Sequence, residues 1–361
     1  MLRMILALIL SAAIVLLTGP KLIAWLRKLK LGQTMYELGP QSHMKKQGTP
    51  IMGGLCIALG CVVAFVVCGV TLGAWDHMLA LLFVALGSMA VGFGDDWIKM
   101  VKKRHEGLTP WQKIIGQAVV CVGFACYCYF HPEVGSKVIV PFVNVEWDLG
   151  IFYIPLLALT VLFMVNSANL QDGLDGILSS VTAVGSIGWA AIALTVTTTL
   201  LDVESSYGVG IVNYPEFENV AARTALAGNY QTIGVFALAL CGACIGFLRF
   251  NHYPATVFMG DTGSMFIGGA VVGIAMLLRE PFLLLLIGFT MVMSSVSVIL
   301  QRYYYKLTRK LTGTPKRLFK MSPIHHHFDM CGMKEPQIVL MYAIVTAVLS
   351  AIAWFSINVL F

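Results

Sequence analysis

Charge is what this chain lacks. Only 12% of its 361 residues are Asp, Glu, Lys or Arg, against roughly 25% in an ordinary soluble domain. Half the usual charge cannot solvate a surface of this size. That excludes a soluble enzyme, a disordered tail and a nucleic-acid binder working through basic patches, so nucleic acid is not an expected partner. Long hydrophobic runs take the place of charge: 58% of the residues are apolar, and the 35 glycines suit membrane helices, where Gly is commoner than in soluble ones.

Cysteine is present but badly placed for disulfides. Cys56, Cys61, Cys68, Cys121, Cys126, Cys128, Cys241 and Cys244 all lie inside apolar runs, and only Cys331 stands in a polar stretch. Cys241-Gly-Ala-Cys244 is embedded in a hydrophobic segment, where its thiols read as small residues at helix contacts rather than as a redox or zinc pair. The apolar start of the chain continues to Leu17 with no small-residue cleavage site before a soluble domain, which predicts a retained first helix.

A helix that crosses a bilayer needs about 20 mostly apolar residues. Ten stretches qualify: 2–20, 51–70, 78–94, 114–130, 151–168, 176–200, 231–250, 263–279, 282–300 and 338–360. The connections after the odd-numbered spans hold twenty of the Lys and Arg residues, and the remainder of the chain holds Arg3, Lys137, Arg223 and Arg279. The positive-inside rule therefore predicts cytoplasmic odd-numbered loops and both termini on the outer side. The expected fold is an all-α polytopic membrane protein, a single domain over 1–361. It has about ten helices, a cleft on the cytoplasmic side and a small outer β-hairpin near 137–147, where β-branched residues flank Pro141.

Five aspartates fall where the inner loops meet helices: Asp95, Asp96, Asp172, Asp175 and Asp261. Carboxylates at a membrane boundary are costly unless they pair, bind a cation or face water. Asp95 and Asp96 end span 3 and repel one another, a conflict that a divalent cation or nearby bases would remove. In Asn169-Leu-Gln-Asp172-Gly-Leu-Asp175-Gly176, taken as opening span 6, the two aspartates share a face if helical, and the glycines allow close approach of a ligand. Phe258-Met-Gly260-Asp261-Thr-Gly263-Ser264 opens span 8, where glycine-flanked N–H groups suit phosphate and an adjacent Asp suits its metal.

The last inner loop adds Pro323-Ile-His325-His326-His327, groups suited to a phosphate-rich anion. Ahead of it, residues 301–320 interleave seven basic residues with Tyr and Leu in a pattern suited to anionic lipid headgroups. Lys46 in His43-Met-Lys-Lys46-Gln-Gly-Thr-Pro50 is placed to meet a phosphate. Together these residues describe a metal- and phosphate-handling site at the membrane surface.

These motifs resemble those of the phospho-N-acetylmuramoyl-pentapeptide transferases, from Gly39-Pro-Gln-Ser-His43 to Pro323-Ile-His-His-His-Phe328. The chain departs from that pattern at Ile51, where the family has Thr, and varies it at Ser167, Ala168 and Gln171. The resemblance implies transfer of phospho-MurNAc-pentapeptide from UDP-MurNAc-pentapeptide to undecaprenyl phosphate, giving lipid I and UMP with Mg²⁺ as cofactor. It also implies a multi-pass protein of the bacterial cytoplasmic (inner) membrane, with its active site facing the cytoplasm and commonly a homodimer.

By matching motif it makes Asp261 the Mg²⁺ ligand and gives Asp95 and Asp96 to the lipid phosphate. Lys46, Asn169, Asp172, Asp175, Asn251 and Ser264 would line the nucleotide–diphosphate site, with Phe258 against the uracil and Gln301, His325, His326 and His327 completing it. The nearest alternative is a sister enzyme moving GlcNAc-1-phosphate from UDP-GlcNAc to the same lipid. An ion-coupled transporter is the remote one, disfavoured because the carboxylates collect at helix ends and no repeat divides the chain.

Overall fold

The computed structural model describes residues 1–28, 48–102, 107–143, 145–201 and 220–358. Its long helices are α1 (Leu2–Lys28), α2 (Gly54–Gly69), α3 (Trp75–Val101), α4 (Pro110–Phe130), α5 (Tyr153–Gln171), α6 (Ile177–Leu201), α7 (Val220–Asn251) and α8 (Gly260–Leu277). A short α9 (Leu284–Ile287) leads into α10 (Phe289–Thr312), then α11 (Ile324–Met330) and α12 (Glu335–Asn358). Among the described residues, nine helices are long and apolar enough to cross a membrane, or ten if a bent pair counts as one span.

The centre of the bundle is α8. Every side chain from Thr262 to Leu277 is buried, so this helix is covered all round, as a core helix must be. It packs on α3, α5 and α2, while α7 lies between α6 and α1. The contact with α3 is a backbone contact: a Cβ at Gly92 would stand 2.2 Å from the carbonyl oxygen of Asp261, so only glycine admits this approach. That closeness brings the last turns of α3 against the first turn of α8.

Two of the expected boundaries that move have a local cause. Span 4 begins at Pro110 rather than 114, because Thr109 and Gln112 form a reciprocal capping box with Pro110 at the first helical position. Span 9 is broken: residues Pro281–Ile287 and Phe289–Thr312 meet at 83° about Gly288, where a Cβ would press to 2.7 Å from the Leu284 carbonyl oxygen. Beyond the bend α10 runs twelve residues past the expected end at 300, carries the tyrosines and the first four bases of the 301–320 segment as helix, and stops at Gly313 in the left-handed conformation.

The expected hairpin is present. Lys137–Val140 (β1) and Val145–Asp148 (β2) pair antiparallel, with Val138 opposite Trp147. Buried Arg279 clamps it, its guanidinium 2.8 Å from Glu146 Oε1, and its carbonyl accepts from Ile139 N.

Candidate active site

Asp95 and Asp96 sit in the last two turns of α3, both almost fully buried rather than solvated. Asp96 Oδ2 accepts from the Thr262 backbone N–H at 2.9 Å and from its hydroxyl at 2.7 Å. The N-cap position of α8, Met259, offers no side-chain acceptor, so a carboxylate from α3 satisfies one of the free N–H groups there and meets the positive end of the helix dipole. Gly260, at φ +74°, leaves room for this carboxylate: a Cβ on it would stand 2.6 Å from Asp96 Oδ2. Asp95 accepts from Leu108 N at 2.9 Å through one oxygen and takes Lys99 Nζ at 2.6 Å through the other.

Asp261, in the first turn of α8, completes the cluster. Its Oδ2 is approached by Lys113 Nζ at 2.8 Å and by Lys99 Nζ at 3.2 Å, and its Oδ1 accepts from Asn169 Nδ2 at 2.7 Å. Asn169 also reaches Ser264 Oγ at 2.9 Å, which ties the end of α5 to α8. One carboxylate oxygen from each of Asp95, Asp96 and Asp261 can be chosen so that all lie within 4.8 Å of one another. Three carboxylates against two ammonium groups leave an excess of one negative charge. This set of hard oxygen donors suits a divalent cation such as Mg²⁺, and Lys99 and Lys113 stand where cationic charge is needed.

The Asp172–Asp175 motif is not helical, so the condition under which its two aspartates would share a helix face is not met. Asp172 caps the C-terminus of α5, Asp175 lies in the turn, and α6 begins only at Ile177. Burial, then the negative charges of Asp261, Asp96 and Asp175, push the Asp172 carboxyl up to about 8. Asp175 Oδ2 accepts from Ala255 N at 2.9 Å, and Asn251 accepts from Gly176 N and donates to the Val257 carbonyl. These contacts fasten the turn to the 252–258 loop. Phe258 is half-buried there, its backbone paired with Pro50 and Gly53.

The histidine run reaches the same place. A Cβ at Gly173 would stand 2.3 Å from His325 Nε2 and 2.9 Å from His326 Nε2, so the Asp172 turn lies directly against both rings. His327 points elsewhere, its Nδ1 accepting from Lys320 N at 3.1 Å. Gln301 holds the strand-like return of the chain, accepting from Leu318 N and Phe319 N and donating to the Phe319 carbonyl. Next to it Arg302, Lys306, Arg309, Arg317 and Lys320 line an open cavity of about 730 Å³. Lys46 lies outside the described residues.

Sequence reasoning had assigned no site role to Lys99, Lys113 or Thr262. The capping box at Thr109–Gln112 was a usable signal for Lys113, because it puts that lysine in the first turn of a helix.

The model of the family described as Glycosyl transferase family 4 matches residues 78–279, which hold the α3, α5 and α8 parts of this site. A protein of Heliobacterium modesticaldum named phospho-N-acetylmuramoyl-pentapeptide-transferase is 40% identical over 337 residues, covering 93% of this chain and 92% of its own. Proteins of the same name from Clostridioides difficile (strain 630) and Clostridium perfringens (strain 13 / Type A) are each 38% identical. They cover 96% and 98% of this chain and 95% and 98% of their own. The chain belongs to this transferase family. The similarity to these relatives runs over nearly the whole length of the transferase, beyond the segment that the family model matches.

Proposed function

We propose that the protein transfers phospho-MurNAc-pentapeptide from UDP-MurNAc-pentapeptide to undecaprenyl phosphate, producing lipid I and UMP. The observation that carries this reading is the cluster of Asp95, Asp96 and Asp261 with Lys99 and Lys113, set beside the Asp172 turn and His325, in a chain so similar to proteins of that name. The cleft faces the cytoplasm in this reading, with both termini outside, on the strength of the lopsided distribution of Lys and Arg.

The barrier is electrostatic, since a lipid phosphate must approach a diphosphate. Mg²⁺ held by Asp261 with Asp95 and Asp96 supplies, when bound, neutralising charge at the phosphoryl oxygens. The chain's own groups do the rest. Lys99 and Lys113, already aimed at Asp261, are within reach to share their charge with phosphoryl oxygens and with the UMP leaving group. Asn169 fixes the orientation of the Asp261 carboxylate, and His326, packed with buried His325 against the Asp172 turn, offers a donor beside that turn.

The lipid phosphate oxygen attacks the sugar-linked phosphorus, a new P–O bond forms, and the bond to the UMP oxygen breaks. A phosphate monoester has a second pKa of about 6, so the nucleophile is already mostly dianionic at pH 7 and no base is needed to strip it. Asp95 and Asp96 therefore act by position and charge. The basic cavity beyond the bend of α10 offers the anionic amphiphiles of this reaction a cationic approach.

The reading is tested with purified protein, undecaprenyl phosphate and Mg²⁺. UMP release is followed in parallel from UDP-MurNAc-pentapeptide and UDP-GlcNAc, with Asp261→Asn as control. Release from the first donor alone is expected. Turnover of UDP-GlcNAc instead moves the protein to the sister activity. The homodimer proposed with this reading is checked by light scattering on the detergent-solubilised protein.

A further inference from the structure

A second cluster of chemically able side chains lies at the opposite end of the bundle. Asp76 and His77 are in the first turn of α3, nineteen residues before Asp95, or about 28 Å along the helix at 1.5 Å per residue. His131 terminates α4 beside them, and Glu133 follows two residues later. His131 Nε2 is 2.9 Å from Asp76 Oδ2, His77 Nδ1 is 3.6 Å from Asp76 Oδ1, and His77 Nε2 is 3.9 Å from Glu133 Oε2. One ligand atom from each of Asp76, His77 and His131 can be chosen so that all three lie within 4.8 Å of one another. The proposed chemistry at Asp261 uses none of them.

We propose that Asp76, His77 through Nδ1 and His131 through Nε2, with water completing the shell, bind one borderline divalent metal ion, zinc foremost, which staples the start of α3 to the end of α4. Donors at about 2.0–2.1 Å around a tetrahedral ion stand roughly 3.3–3.4 Å from one another, and the Asp76 carboxylate lies 2.9 Å from His131 Nε2 and 3.6 Å from His77 Nδ1. His77 supplies the second, independent observation. It is 2% exposed, and its Nδ1 makes no hydrogen bond and faces the Asp76 carboxylate just beyond hydrogen-bonding distance. A cation between these groups removes that slack.

The support around the ligands also fits. Glu133, oriented by a hydrogen bond from Asn229 of α7, faces the other ring nitrogen of His77 at 3.9 Å, the position of an outer partner that orients a ligating imidazole. In the metal-free protein His131 Nδ1 accepts from Glu133 N at 3.3 Å, so Nε2 carries the proton given to Asp76. Metal binding at Nε2 moves that proton to Nδ1 and gives up one long hydrogen bond, with no net change of protonation. The two ends of the molecule thereby select different ions. Two imidazoles with one carboxylate favour zinc over magnesium, whereas three carboxylates without a histidine favour magnesium.

The test uses the full chain without an oligohistidine tag, stripped with a chelator in detergent. Bound zinc is counted by elemental analysis, and affinity is measured by competition with a chromophoric chelator. One zinc per chain is expected, held in the presence of excess Mg²⁺ and retained by Asp261→Asn and by His326→Ala. His131→Ala and Asp76→Asn are each expected to weaken it at least tenfold, and the half-exposed position of Asp76 makes Asp76→Asn the variant that leaves the fold intact. Cobalt substitution provides a second readout, with intense visible bands of a four-coordinate site that vanish in His131→Ala. Failure to retain zinc, equal zinc affinity in His131→Ala, or loss of the zinc in His326→Ala would each overturn the proposal.

Discussion

Lys113 Nζ and Asp261 Oδ2 lie 2.8 Å apart, joining the first turn of α4 to the first turn of α8 across 148 positions of sequence. With Lys99 on the same oxygen, the pair makes Asp261 the electrostatic hub of the site.

Lys113→Met is expected to reduce kcat by about 10²–10³, the cost of removing one preorganised charge at a reacting centre. Lys113→Arg keeps the charge and is expected to recover part of the rate. Steady-state UMP release measures both, and an unchanged kcat in Lys113→Met would remove the residue from the chemistry.

Chelation of divalent cations is expected to abolish turnover, and added Mg²⁺ to restore it in a saturable way. Asp261→Asn should lose at least about 10²-fold in kcat at any Mg²⁺ concentration, because the amide cannot hold a hard cation as a carboxylate does. A Mg²⁺ titration of the two proteins side by side is the measurement.

Asp172 predicts a pH dependence of stability. Its carboxyl, about 8 in the folded protein, holds a proton more tightly than the unfolded chain, whose ordinary Asp value is 3.8. The folded state therefore binds more protons between these values, and stability falls as pH rises from about 4 to about 8. Asp172→Asn should flatten that slope. Thermal unfolding from pH 5 to 9 reads it, and a divalent cation that neutralises Asp96 and Asp261 should flatten it in the wild-type protein as well.

Gly173 and His325 should be coupled. Gly173→Ala puts a methyl group 2.3 Å from a ring nitrogen of fully buried His325, which should cost about 1–3 kcal/mol of stability and displace the Asp172 turn. His325→Ala opens that space, so the double variant should be more stable than the sum of the single changes predicts. Additive effects in a thermal-unfolding cycle would place the two residues apart.

The spans were legible because the bilayer demands about 20 apolar residues for each crossing, a local property that composition displays directly. The polar motifs between them were legible for a related reason. Charge is so scarce here that Asp95, Asp96 and Asp261 stand out at helix ends. The hairpin of Lys137–Asp148 followed from β-branched residues on either side of a turn.

What the sequence determined by itself was therefore the number and order of membrane-length segments, the lopsided distribution of bases and the inventory of carboxylates. The tertiary structure alone decided which of these meet. Glycine at 92 lets α3 and α8 close until Asp96 caps the helix that carries Asp261, and the capping box at Thr109 brings Lys113 to the same oxygen as Lys99. It also made Asp172–Asp175 a turn rather than a helical face, and broke span 9 at Gly288. The physical reason is range. Hydropathy and capping act within a few residues, whereas charge compensation and backbone approach depend on packing between helices far apart in the chain.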